Sequence, residues 1–124
     1  MNFKFDKYFS NIYKNNVWGC GSGGGSTIEN TVEYRRLLGL FLEKNSSEIT
    51  NIIDYGCGDW QSSKLISWEG FQYLGIDCVD FLIEQNEKKY SSKNVDFKCL
   101  YNFKDFYSYT SDLLILKDVI QHWT

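Results

Sequence analysis

The sequence predicts an α/β fold, an open and mostly parallel sheet layered between helices, on three observations. Short and almost continuously apolar runs of strand length recur from residue 50 onward, and helix-length segments separate them. Two of the long runs end in an aspartate and a third runs into one. Runs of this kind read as strands buried on both faces, and the spacing between them fits right-handed crossovers through helices.

At 124 residues, 43% hydrophobic and 18% aromatic, the chain can bury a core, and one compact domain is expected. A net charge of -3 provides no basic surplus of the kind that electrostatic nucleic-acid binding requires. Residues 1–16 interleave charges and amides with aromatics, unlike a signal peptide, and no stretch of about 18 apolar residues occurs. Neither a membrane nor export is therefore expected, and the expected location is the cytoplasm. Cys20, Cys57, Cys78 and Cys99 are scattered without a close pair, which is neither a disulfide framework nor a zinc ligand set, so no metal is expected.

Taken in order, residues 1–26 are set apart as an N-terminal helix and a glycine-rich lead-in, and residues 27–124 as the sheet domain. The lead-in, Gly19 to Ser26, has the composition of a flexible linker, but Trp18 precedes it and Ser26-Thr27-Ile28-Glu29 closes it in a capping-box pattern. A helix is expected from there, with Tyr34, Leu37, Leu38, Phe41 and Leu42 on one apolar face. Then follow a strand over 50–54, a helix over about 61–68, a strand over 73–77 and a helix over about 79–90. A short strand over 95–99 and a fourth strand over 111–117 come next, and "DVIQHW" begins another helix.

In such sheets ligands sit beyond the carboxyl ends of the strands, where the strand order reverses. Asp54, Asp77 and Asp118 all stand there in the sequence pattern. Gly56-Cys57-Gly58 makes a tight turn whose backbone N–H groups can hold a carboxylate or phosphate. Asp77 follows Asp54 by 23 residues, about the separation at which nucleotide-binding folds place a carboxylate on ribose hydroxyls. Standing alone, Asp77 reads first as the N-cap of the helix after it; joined to Asp54 and the glycine turn, it reads as the ribose ligand. A dinucleotide fingerprint needs glycine or alanine at position 61, where Gln61 stands, and Asp54 and Asp59 repel a pyrophosphate. A nicotinamide-dependent oxidoreductase is disfavoured on both counts. An adenosine ligand carrying a cationic ammonium or sulfonium suits these acids better, and S-adenosylmethionine is such a ligand.

At these residues the chain resembles class I S-adenosylmethionine-dependent methyltransferases, in their N-terminal, cofactor-binding half. "IIDYGCGDW" resembles the first motif of that family, "YLGIDCVDFLIEQN" the second, and "DLLILKDVIQHW" the fourth strand with its exit. "VWGCGSGGGS" with "YRRLLGLF" resembles the lead-in of some small bacterial and viral members. The resemblance implies a Rossmann-like, three-layer α/β/α sheet that stops after its fourth strand. It implies that Asp54 orients the methionine amino group through water and that Gly56, Cys57 and Gly58 approach the methionine moiety. Asp77 would accept from both ribose hydroxyls, Cys78 would flank the adenine, and Lys117 and Asp118 would border the methyl group and the acceptor.

Two departures from the family pattern stand out. Trp60 replaces a residue that is often small, and Leu100 and Tyr101 stand where relatives commonly carry an acid near the adenine, leaving Tyr101 or Phe103 to stack on the base. Arg35 and Arg36 read as a solvated helix face, with a reach toward the methionine carboxylate as the alternative. Methyl transfer needs a general base only when the acceptor must lose a proton. Asp118 and His122 are the two candidates for that role, Asp118 reading equally as a helix cap and His122 more readily as a partly buried structural residue. The acceptor is unknown: oxygen, nitrogen and carbon are all open.

Relatives complete the sheet with further strands, so residues 111–117 are expected to form an edge with unpaired backbone groups. Three readings of that edge stay open: a fragment of a methyltransferase, a partner chain paired along the edge, or a non-catalytic S-adenosylmethionine-binding or interaction module.

Overall fold

The computed structural model of the chain describes residues 5–19 and 21–117. Cys20, Asp118, His122 and the helix expected after residue 117 lie outside the described residues.

Four parallel strands, β1 (Asn51–Tyr55), β2 (Gln72–Asp77), β3 (Val95–Cys99) and β4 (Leu113–Ile115), form one sheet in the order β3-β2-β1-β4. Helices α1 (Phe5–Lys14), α2 (Val32–Lys44), α3 (Asp80–Tyr90) and the single turn α4 (Phe103–Phe106) flank it. This is the open, Rossmann-like parallel sheet that the sequence pattern predicts. The chain moves outward from β1 to β3 and then crosses to the far side of β1, so the order reverses beside β1.

Side-chain alternation along each strand builds a core on either face. Ile52, Tyr73, Phe97 and Ile115 pack with Leu42 of α2, Ile83 of α3 and the rings of Trp60, Trp68 and Phe71. On the opposite face Ile53, Ile76 and Leu100 pack with Tyr55, Leu74, Phe106 of α4 and Tyr109.

Four local expectations change. The residues expected to form a helix over 61–68 instead make one 3-10 turn, Ser63–Leu65. Trp60, Ile66, Trp68 and Phe71 are all buried at spacings that no single helix face provides, and the Trp68 indole N–H donates to the Ser63 carbonyl at 2.9 Å in place of a helical bond. Helix α2 begins at Val32 rather than near Ser26, because Ser26 belongs to a separate 3-10 turn (Gly24–Ser26) and donates its own N–H to Gly23. Thr27 Oγ1 accepts from the Asn30 N–H at 3.2 Å at the 3-10 turn Glu29–Thr31 that leads into α2.

The buried stripe of α2 is narrower than expected. Tyr34, Leu38 and Leu42 meet the core, whereas Leu37 and Phe41, about 100° round the helix from that row, are 57% and 46% exposed. Finally, β4 is shorter than 111–117. Asp112 precedes the strand: its N–H donates to the Asn51 carbonyl at 2.9 Å, and its Oδ2 accepts the Thr50 and Asn51 N–H groups at 2.8 and 3.0 Å, fastening the start of β1. No helix among the described residues is long and apolar enough to cross a membrane.

Candidate functional site

Beyond the carboxyl ends of β1 and β2, where the strand order reverses, lies a cleft of about 330 Å³. That is the low end of the range for small-molecule sites, roughly 300 to 1,000 Å³. Asp54, Gly56, Cys57, Gly58, Asp77, Cys78 and Lys117 all line it. Tyr101 and Phe103 do not: Phe103 lies edge-on to Tyr55, with ring centroids 5.7 Å apart, and Tyr101 is 54% exposed. Neither arginine of α2 lines it either. Arg35 donates to the Ile28 carbonyl at 2.6 Å and Arg36 pairs with Glu33 at 2.9 Å.

The glycine turn is locked from several sides. The Gly56 and Cys57 N–H groups both donate to the Ile76 carbonyl, at 2.7 and 3.0 Å. Gly58, at φ +60°, donates its N–H to Asp77 Oδ2 at 2.9 Å and accepts at its carbonyl from the Asn86 side-chain amide at 2.9 Å. The Asp59 N–H points to Ser22 Oγ at 3.4 Å. All four amides of residues 56–59 thus have acceptors within the protein. An anion held by those N–H groups, as the sequence allows, would have to displace bonds already made.

Both oxygens of Asp77 are engaged within the protein. Its Oδ1 accepts the Val79 N–H at 3.2 Å at the entrance to α3, and its Oδ2 ties the glycine turn. A carboxylate offers about four acceptor positions, so these bonds do not exhaust it. Burial raises the Asp77 carboxyl above its ordinary range, opposed by the N–H groups of Gly58, Val79 and Cys78.

Asp54 is buried, and the Tyr73 hydroxyl donates to its Oδ2 at 2.6 Å. Burial is the main cause that pushes its carboxyl up to about 6; the Asp77 charge adds to this, while Tyr73 and Lys117 oppose it. Burial also drives the Cys57 thiol well above its usual range, so it remains a protonated thiol. Among the described residues, three acids, Asp54, Asp59 and Asp77, and one cation, Lys117, line the cleft. The cleft's electrostatics favour a cationic ligand group.

The N-terminal segment forms the outer wall. Tyr13 of α1 and Ser22 share a 2.6 Å hydrogen bond directly over the glycine turn. A Cβ on Gly58 would come within 2.7 Å of Ser22 Oγ and 2.8 Å of the Tyr13 hydroxyl. Gly21, also at positive φ, abuts the Asp59 carboxylate. Trp18 stands edge-on to Phe9 and Tyr13, and Lys117 Nζ donates to the Gly25 carbonyl at 3.3 Å. The glycine-rich run is therefore packed onto the site, with glycine required where the two segments touch.

Sequence reading missed four contributors. Asn86, buried on α3, carried one signal, a polar residue within the apolar row of a helix. Gly75 gives way to Cys57 and Phe97, since a Cβ there would lie 3.1 Å from the thiol sulfur and 2.8 Å from the ring. Tyr73 and Tyr13 looked like ordinary core aromatics and gave no signal.

No family model matches the chain, and no curated protein matches it in sequence. Solved structures do match in fold. One is the plantazolicin methyltransferase BamL, determined with a triazolic desmethylPZN analog and SAH, at a TM-score of 0.52 and 21% identity over 85% of this chain and 36% of that one. Another is the 16S rRNA methylase ArmA, at a TM-score of 0.50 and 18% identity over 98% of this chain and 64% of that one. The chain thus spans 36% and 64% of the lengths of these two proteins. At such identities the likeness concerns the fold, which is class I S-adenosylmethionine-dependent methyltransferase-like.

Proposed function

We propose that the cleft binds S-adenosylmethionine and that the chain is the cofactor-binding part of a methyltransferase. One observation carries this reading. Asp54, Asp59 and Asp77 converge on a turn whose amides are already bonded, so the site offers carboxylates to a cation rather than N–H groups to a phosphate. The ligand-binding chemistry fits. Asp54 takes the amino group, directly or through water, and Gly56, Cys57 and Gly58 run beside the methionine chain. The remaining acceptor capacity of Asp77 takes the ribose hydroxyls, Cys78 flanks the adenine, and Lys117 borders the methyl end.

When bound, S-adenosylmethionine supplies an electrophilic methyl group for in-line displacement, with a leaving group that needs no proton. The protein's share is positioning and exclusion of water. The Tyr13 and Ser22 wall over Gly58 provides the exclusion, and the bonded glycine turn provides the rigidity. Asp118 and His122, the candidates for a base, stand beyond Lys117 and outside the described residues.

A second reading, a non-catalytic cofactor-binding module docked to a partner chain, is favoured by the place of β4 at the sheet edge, with Leu114 42% exposed. A defined heteromer or dimer by native mass measurement supports it, and a monomer that methylates an acceptor rules it out.

Calorimetric titration with S-adenosylmethionine, beside NADH and the Asp77→Ala variant, tests the main reading. Saturable binding of the first ligand alone, weakened about ten- to a hundredfold in a folded variant, is expected from the loss of hydrogen bonds to a charged group. Unchanged affinity in the variant, or preference for NADH, would contradict it.

A further inference from the structure

Asp54 has a partner on the side away from the cleft, and the donor inventory fixes where that partner's proton goes. The indole N–H of Trp60 lies 2.8 Å from the Tyr73 hydroxyl oxygen, and an indole can only donate. Since that oxygen accepts from Trp60, the phenolic proton is directed to Asp54 Oδ2, 2.6 Å away. All three residues are buried. Trp60 itself is fixed by the rings of Tyr73, Tyr90 and Phe97, with centroids 5.6, 4.9 and 5.2 Å away. Its backbone has φ +65°, a left-handed conformation that is costly for a bulky side chain and that clusters at functional sites.

The geometry points to Tyr73, oriented by Trp60, as a positioning residue that fixes the Asp54 carboxylate through one oxygen and leaves the other to receive the ligand's ammonium group. This rests on the reading of the cleft as an S-adenosylmethionine site.

The groups that bear on Asp54 are few. Tyr73 and Asp77 come from β2, Cys57 from the glycine turn, and Lys117 from beyond β4. Burial and Asp77 disfavour its charged form, while Tyr73 and Lys117 favour it. The Cys57 thiol stays protonated, and burial with the adjacent Asp54 charge keeps the Tyr73 phenol protonated as well. Tyr73 is thus a permanent donor to Asp54. Without it the carboxylate loses both a fixed rotamer and much of its preference for charge.

Two readouts test this with Tyr73→Phe, and with Trp60→Phe, which removes the orienting donor while keeping an aromatic ring and carries the same test should Tyr73→Phe fail to fold. The first follows the Asp54 side-chain carboxyl by carbon-13 NMR in ligand-free protein. Its titration midpoint is expected to rise by about one pH unit or more in Tyr73→Phe, and less in Trp60→Phe. An unmoved midpoint in both overturns the proposal. The second is the S-adenosylmethionine Kd from about pH 5.5 to 8.5. The ratio of variant to parent should grow to about tenfold toward acid pH and shrink toward alkaline pH. A ratio that is constant across pH marks a merely structural role and also overturns it. If the midpoint moves but the parent binds no ligand at any pH, the cofactor reading fails and the positioning role with it. The coupling of Tyr73 to Asp54 then stands alone, so the two failures are distinct.

Discussion

Asp77 Oδ2 accepts the Gly58 N–H at 2.9 Å, so the acid that ends β2 and the turn that follows β1 are one mechanical unit. Its other oxygen accepts the Val79 N–H, which joins the entrance of α3 to the same unit. Replacing Asp77 with Asn turns one acceptor into a donor facing an N–H group. Asp77→Asn is expected to bind S-adenosylmethionine about tenfold or more weakly and to unfold at lower denaturant, by about 1–3 kcal/mol. Urea titration and calorimetry on one sample check both.

Asn86 supports the turn from beneath, through its bond to the Gly58 carbonyl. Asn86→Leu fills the space but leaves a buried carbonyl without its donor, an expected cost of about 1–3 kcal/mol. Asn86→Asp presents an acceptor to the carbonyl and is expected to fare worse above pH 5. Equilibrium unfolding of the two variants ranks them.

Gly58 is held at positive φ beneath Ser22 and Tyr13. Gly58→Ala combines a left-handed alanine, at roughly 1–2 kcal/mol, with contacts too short to keep. The N-terminal wall is expected to lift, which trypsin cleavage after Lys14 reports as a faster cut. Gly24→Ala, where a Cβ meets nothing within 4 Å, serves as the control and should cut at the parent rate.

Asp54 sets a pH dependence of stability with a definite sign. Its folded carboxyl sits near 6, above the unfolded value of about 4, so between those values the folded state holds more protons than the unfolded one. Stability contributed at this site is therefore greatest below about pH 4 and declines as pH rises through 6, by up to about 3 kcal/mol. Asp54→Asn removes the burden: it should be more stable than the parent at pH 8, lose that advantage below pH 4, and bind S-adenosylmethionine poorly. Thermal melts at the two pH values decide the matter.

The strands were legible because they are buried on both faces. Ile52 and Ile53, or Tyr73 through Ile76, form apolar runs that suit little else. The aspartates and glycines at strand ends were legible for the same reason, since a charge that interrupts such a run needs a use. What the pattern could not carry was partnership at a distance. Tyr73 is an aromatic in a core strand until its hydroxyl is seen on Asp54, and Asp112 is a polar residue at the start of an expected strand until it caps β1 from 61 residues away. The glycine-rich run has a linker's composition, and only the absence of room at Gly58 and Gly21 shows that it is packed. Residues 61–68 misled because their apolar side chains are buried by a loop. Asn94 fastens that loop, donating to the Trp68 and Phe71 carbonyls at 2.8 and 3.0 Å.

The cleft is the centre of the account, and amide NMR during titration with S-adenosylmethionine tests it most directly. Saturable shifts are expected at Gly56, Gly58, Asp77 and Cys78, at the ends of β1 and β2, with Gly70 and Asn94 at the opposite end of the sheet unmoved. Shifts absent at saturating ligand in a folded protein, or centred on that opposite end, would contradict it.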